Sequence, residues 1–129
     1  MQAVSYCIDL PPLAWKRAGI SKSRYYDSQL QDKIDYGLLM LQQHKGLPLL
    51  HKGPIELTVT FWMAIPPGRR KELSEGDWHT NVPDSSNLLK HLEDSMKNVT
   101  LHDDRYICSI LLHKKYSKKP RTEFTLKEL

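Results

Sequence analysis

Cysteine is nearly absent from this chain of 129 residues, where Cys7 and Cys108 stand alone. Two thiols so far apart build neither a disulfide framework nor a Cys-x-x-Cys zinc site, and they read as reduced core residues. Long apolar runs are missing too. The longest uncharged stretch, Leu57 to Gly68, contains Thr and Pro, whereas a membrane helix needs about 20 mostly apolar residues. No membrane span is expected. Near the amino terminus stand Asp9 and Pro11-Pro12, where a signal peptide carries a basic stretch and then an apolar core. The expectation is a cytoplasmic protein. The six histidines show no His-x-x-x-His spacing, which argues against a zinc enzyme. With no internal repeat, low-complexity tract or linker, residues 1–129 read as a single domain.

What is present is an ordinary globular mixture, 40% hydrophobic and 26% charged, so the chain should fold. Ala3 to Leu10 alternates, with Val4, Tyr6, Ile8 and Leu10 on one face, and reads as a strand ended by Pro11-Pro12. Leu13 to Arg24 is irregular and basic and reads as a loop. From Asp27 to His44 the apolar residues Leu30, Ile34, Leu38 and Leu41 recur at helical spacing, predicting a helix. Ile55 to Ile65 alternates strictly and is the clearest strand. Pro66-Pro67-Gly68 stops it, and a loop or short helix through Trp78 follows. Asp84 to Asn98 spaces Leu88, Leu92 and Met96 four apart, predicting a second helix with its cap among Asp84 to Ser86. Tyr106 to Tyr116 and Thr122 to Leu126 read as closing strands. The predicted class is α/β (α+β), one small mixed sheet covered by two main helices in the order β-α-β-α-β-β.

The densest carboxylate grouping is Asp84 at the start of the second helix, Asp94 inside it and Asp103-Asp104 before the next strand. If the helix packs across the sheet, Asp84 and one of Asp103 or Asp104 share a cleft. Such a set suits magnesium, a hard ion held by one or two carboxylates with water and substrate phosphate. The plainer alternative makes Asp84 a helix cap and Asp103-Asp104 a turn. Lys90, on the next turns of the same helix, is either a phosphate contact or a solvated lysine.

The stretch Pro83-Asp84-Ser85-Ser86-Asn87-Leu88-Leu89-Lys90, followed by Asp94, Asp103-Asp104 and Lys115-Tyr116, resembles the RusA family of Holliday junction resolvases, common in prophages. That family opens a helix with Asp-x-Asp-Asn-x-x-Lys and carries an Asp-Asp pair beyond it. The early Pro12-Leu13-Ala14-Trp15-Lys16-Arg17 loop, the strand ending at Pro66-Pro67 and the lysine-rich closing strands fit the same layout. The resemblance implies a homodimeric endodeoxyribonuclease, dependent on Mg²⁺ with Mn²⁺ as substitute, that cuts four-way junction DNA symmetrically in recombination and repair. It implies catalytic roles for Asp84, Lys90 and Asp103 or Asp104, with Asp84, Asp103 and Asp104 as metal ligands. At the position of the family's second catalytic aspartate stands Ser86, whose neutral hydroxyl should hold the metal more weakly. Glu93 and Asp94, two turns further on, are awkward substitutes.

Basic residues outnumber acidic ones by 19 to 15, leaving a net charge of +4, and favour an anionic partner, nucleic acid first. The candidate DNA contacts are Lys16 and Arg17, Arg69 and Arg70, and Lys114, Lys115, Lys118 and Lys119. They are interleaved with Tyr25, Tyr26, Trp78 and Tyr116, as a phosphate-tracking surface would be. Trp15, Trp62 and Trp78 also suit core or rim packing. The first helix and the 55–65 strand are the candidate dimer faces. Three functions follow as alternatives: an active resolvase, a junction-binding protein without catalysis, and a small basic interaction domain for protein or RNA.

Overall fold

A computed structural model of the chain describes residues 2–16, 19–21, 24–49 and 51–129. The strands are β1 (Ala3–Ile8), β2 (Gly19–Ser21), β3 (Arg24–Tyr26), β4 (Ile55–Ala64), β5 (Ile107–Ser117) and β6 (Arg121–Glu128), and the helices α1 (Leu30–Gln43) and α2 (Ser85–Met96). Four strands form one mixed sheet in the order β1-β6-β4-β5. β4 and β5 are parallel and joined through α2, while β6 runs antiparallel to both β4 and β1. The α+β class and the expected element order hold, with one addition. Where a loop was expected, β2 and β3 pair as a separate small hairpin. Strands of three residues carry too little alternation to register in a sequence.

Alternation decides which way the sheet faces. Ile55, Leu57, Val59, Phe61 and Met63 of β4 are buried together with Val4, Tyr6 and Ile8 of β1 and Phe124 and Leu126 of β6. The other face carries Ser5, Thr58, Thr60, Glu123 and Thr125 around a shallow depression. Cys7 lies on the exposed side of β1, and Cys108 is exposed as well. Neither is the core residue expected of it. Burial of a small thiol is a tendency, and in β1 the pleat overrides it.

The two helices bury opposite kinds of surface. In α2 the apolar stripe turns inward, and Leu88, Leu92 and Met96 are almost wholly enclosed, each stabilising the fold by about 1.5–3 kcal/mol. In α1 the buried residues are Tyr36, Gly37 and Met40. Its stripe Leu30, Ile34, Leu38 and Leu41 faces outward, each side chain 45–57% exposed. Gly37 sits where α1 meets α2, and a side chain there would come within 3.4 Å of Val99. Tyr36 packs edge-on against His91 with centroids 5.0 Å apart and donates to the Pro11 carbonyl at 2.8 Å. No helix among the described residues is long and apolar enough to cross a membrane.

Candidate active site and nucleic-acid interface

The segment entering α2 is fixed by β5. The Gly76 N–H donates to the Tyr116 carbonyl, the Tyr116 N–H to the Asp77 carbonyl and the His79 N–H to the Lys114 carbonyl, at 2.8–3.0 Å. Lys114 adds a side-chain clamp, its ammonium donating to the carbonyls of Asn81 and Pro83, both at 2.7 Å. The expected phosphate contact is thus engaged with the loop that delivers Asp84.

Asp84 is the N-cap of α2, but its carboxylate makes no capping hydrogen bond. Only its carbonyl does, accepting from the Asn87 and Leu88 N–H groups. The plainer alternative made this side chain a cap; it is exposed and makes no capping hydrogen bond. Ser86 and Asn87 are exposed beside it. Lys90, one turn beyond Ser86 and on its face, lies 3.4 Å from Asp94 and 5.8 Å from the centre of the Trp15 ring. The Trp15 N–H donates to the Asn87 carbonyl at 2.9 Å, tying the early loop to this end of the helix.

The Asp103-Asp104 pair lies toward the other end of α2. Asp103 accepts from the Arg105 N–H at 3.0 Å and stands 3.9 Å from the Lys97 ammonium. The Arg105 N–H holds the Asp103 carboxyl below its ordinary range. Glu93 is pushed the other way, first by burial and then by the negative charge of Asp104. Between Asp84 and Glu93 lie nine helical steps, roughly 13 Å of axial rise. Asp84 thus stands at the start of α2 and the Asp103-Asp104 pair beside its far end, and no group of three potential metal-ligating side chains occurs among the described residues. The cause is geometric. A helix that crosses over between parallel strands begins at one end of them and finishes at the other. Two adjacent carboxylates match the number that magnesium usually takes from protein.

Glu93 is the acid the sequence reading set aside. Ser86, Lys90, Glu93 and Lys97 recur at spacings of four, three and four, a polar stripe opposite Leu88, Leu92 and Met96, and that stripe was the available signal. The clamp from Lys114 has no such signal, because carbonyl acceptors leave no mark on a sequence.

The remaining basic residues are spread over several surfaces. The Lys16 N–H donates to Gln29 Oε1, and Arg17 lies outside the described residues. Arg69 pairs with Glu72 at 3.2 Å. Arg70 and Lys118 line a cleft of about 570 Å³ with Ala64, Ile65 and Leu73. Lys118 and Lys119 are exposed. Lys115 lies between two indoles, 5.9 Å from the centre of Trp62 and 4.7 Å from that of Trp78. Trp15 and Trp62 are partly buried, whereas Trp78 is exposed. Tyr116 is core.

Residues 9–127 match the model of the family described as endodeoxyribonuclease RusA. A crossover junction endodeoxyribonuclease of Lactococcus phage r1t is 30% identical over 129 residues, covering 95% of this chain and 94% of that protein. The uncharacterized protein YqaN of Bacillus subtilis (strain 168) is 25% identical over 116 residues, 84% of this chain and 76% of that protein.

Proposed function

The chain belongs to the endodeoxyribonuclease RusA family, and from that membership we propose that it is a Holliday junction resolvase, cutting four-way junction DNA in the cytoplasm with the help of Mg²⁺ or Mn²⁺. The observation that carries the reading is the stripe on α2. An exposed carboxylate at Asp84 that makes no capping hydrogen bond opens it, Ser86 and Lys90 follow, and Glu93 leads to the Asp103-Asp104 pair.

Each group has a role in that reading. The backbone N–H groups at the start of α2 and the Lys90 ammonium draw a DNA phosphate to the helix end. Asp103 and Asp104 would hold the divalent cation, which when bound neutralises charge developing on the scissile phosphate. Asp84 is the third proposed acid. Ser86 offers a hydroxyl where the resembling Asp-x-Asp-Asn-x-x-Lys motif has its second aspartate, so no second carboxylate joins Asp84 in the first turn at its end of the helix. Lys114 sets the height of Asp84 through the loop carbonyls. Lys16, Arg17, Arg69, Arg70, Lys115, Lys118 and Lys119 are proposed to meet backbone phosphates, giving salt-dependent binding with little base readout.

A homodimer completes the proposal, with α1 as the contact. Its outward stripe and Val99 line a groove of about 360 Å³. A second copy related by two-fold symmetry would cover the stripe with the same stripe, and such closed dimers are the commonest homo-oligomers. Two sites related in this way suit a two-fold symmetric junction.

The second reading, a junction-binding protein without catalysis, is favoured by Ser86 and by the separation of Asp84 from the acid pair. One experiment decides between them. Binding and cleavage are followed on a mobile four-way junction and a matched linear duplex, with and without Mg²⁺ or Mn²⁺, for the native chain and for Ser86→Asp. Symmetric nicks from the native chain establish the resolvase. Junction binding with cleavage only by Ser86→Asp establishes the second reading, and no preference for the junction by either protein rejects both.

A further inference from the structure

One row of side chains crosses the helix-free face of the sheet. Register pairs Arg121 of β6 with Trp62 of β4, Trp62 with Lys115 of β5, and Lys115 with Trp78 of the loop alongside. The row alternates cation and indole. Arg121 lies 4.8 Å from the centre of Trp62, and Lys115 lies between Trp62 and Trp78. His113 meets Trp78 edge-on, with centroids 5.4 Å apart and planes at 84°. Trp78 is thus held by its neighbours yet remains 60% exposed. Arg121 is engaged by Glu123, by Ser117 and by the Lys119 carbonyl. Lys115, by contrast, is held against the two indoles.

An indole fixed in orientation, open to solvent and backed by a cation is costly to expose for packing alone. It suits a planar ring whose other end carries negative charge. Position adds to this. β5 is the outer strand of the sheet, and its consecutive residues Lys114 and Lys115 serve opposite faces, Lys114 holding the loop that ends in Asp84 and Lys115 flanking Trp78. Trp78 stands six positions before Asp84, at the start of the same loop.

We propose that Trp78 and Lys115 form a nucleotide subsite, in which Trp78 stacks an unpaired base of single-stranded DNA while the Lys115 ammonium takes its phosphate. The subsite rests on the resolvase reading, since a branch point is where a nuclease of this kind meets unstacked bases. It predicts a preference for single strands and branch points over intact duplex, whose bases are not free to stack.

The test uses the whole chain and a single-stranded oligothymidylate of about 12 nucleotides, within the range of known single-strand site sizes. A linear duplex and a four-way junction are run alongside. Oligothymidylate should quench the native tryptophan fluorescence. Trp78→Ala should bind it about 5- to 100-fold more weakly, the range expected for one lost base–aromatic stack, with duplex affinity nearly unchanged. Trp78→Tyr should recover most of the loss, and Lys115→Gln should lower the salt slope by about one.

Equal loss on single strand and duplex, or no loss with the fold intact by circular dichroism, would overturn the subsite. Absence of quenching in the native chain would overturn it whether or not the variants fold. Junction cleavage by the native chain together with any of these results leaves the resolvase standing and removes only the subsite. Failure of the native chain to bind any of the three DNAs removes both.

Discussion

The two helices carry similar apolar stripes in the sequence and use them in opposite ways. In α2, Leu88, Leu92 and Met96 close the core, so the polar stripe on its other side is held rigidly toward the acid pair. In α1, Leu30, Ile34, Leu38 and Leu41 face solvent, and the helix is anchored instead by Tyr36, Gly37 and Met40. Helical spacing shows that a stripe exists. What covers it depends on the residues between. Tyr36 and Met40, four apart with Gly37 between them, make a second and narrower stripe that is buried where α1 meets α2.

The contrast is tested most strongly by truncation. Leu92→Ala, at an enclosed site, should cost about 2–5 kcal/mol of unfolding free energy. Leu38→Ala, at an exposed site, should stay within about 0.5 kcal/mol for the monomer. Urea unfolding of both variants at low protein concentration measures the difference, and equal losses would abolish the distinction between the helices.

Ser86→Asp probes the working side of α2. At limiting Mg²⁺ it should raise junction cleavage by roughly 10- to 100-fold, the range over which groups supporting a metal act. Initial rates across a magnesium titration would read this out, and an unchanged rate would separate Ser86 from the metal. Lys114→Met should lower cleavage by about tenfold, in line with the cost of small misplacements. It should leave the slope of binding against salt unchanged, because its ammonium contacts carbonyls; a slope lower by about one would instead make Lys114 a phosphate contact.

Leu38→Glu addresses the outer side of α1. Sedimentation should show its dimer dissociating at concentrations where the native chain is paired, with the monomer fold preserved.

The smallest expected effect concerns Glu93. Burial and the Asp104 charge raise its pKa in the folded chain, so its contribution favours folding below the ordinary carboxylate range and is lost as pH rises through the raised value. Without divalent cation, the part of the stability that Glu93 contributes should fall from about pH 4 upward, where an unperturbed glutamate ionises. Glu93→Gln should flatten that part of the curve in denaturant titrations, and an identical curve would remove the burial argument.

Much of this architecture was legible beforehand, for particular reasons. β4 was clear because its alternation is strict over ten residues, and α2 because its stripe is the buried one. The 19–26 hairpin was not, since each strand is too short to show a period. At the site, Asp84, Ser86, Lys90 and Asp103-Asp104 stood out through spacing and residue type. Their distribution along α2 did not, because it depends on which end of the helix meets which end of β5. Cys7 was misplaced because a preference for burial is weaker than the pleat that turns every second residue outward.

The clamp from Lys114 has one more consequence. Its acceptors are main-chain oxygens, which every amino acid possesses, so residues 81–83 are released from any requirement on their own side chains for this contact. Part of what holds the loop is thus encoded at a distance, in a lysine of a neighbouring strand. As far as this contact goes, a changed side chain at 81–83 leaves Asp84 at the same height, whereas loss of the lysine removes both hydrogen bonds.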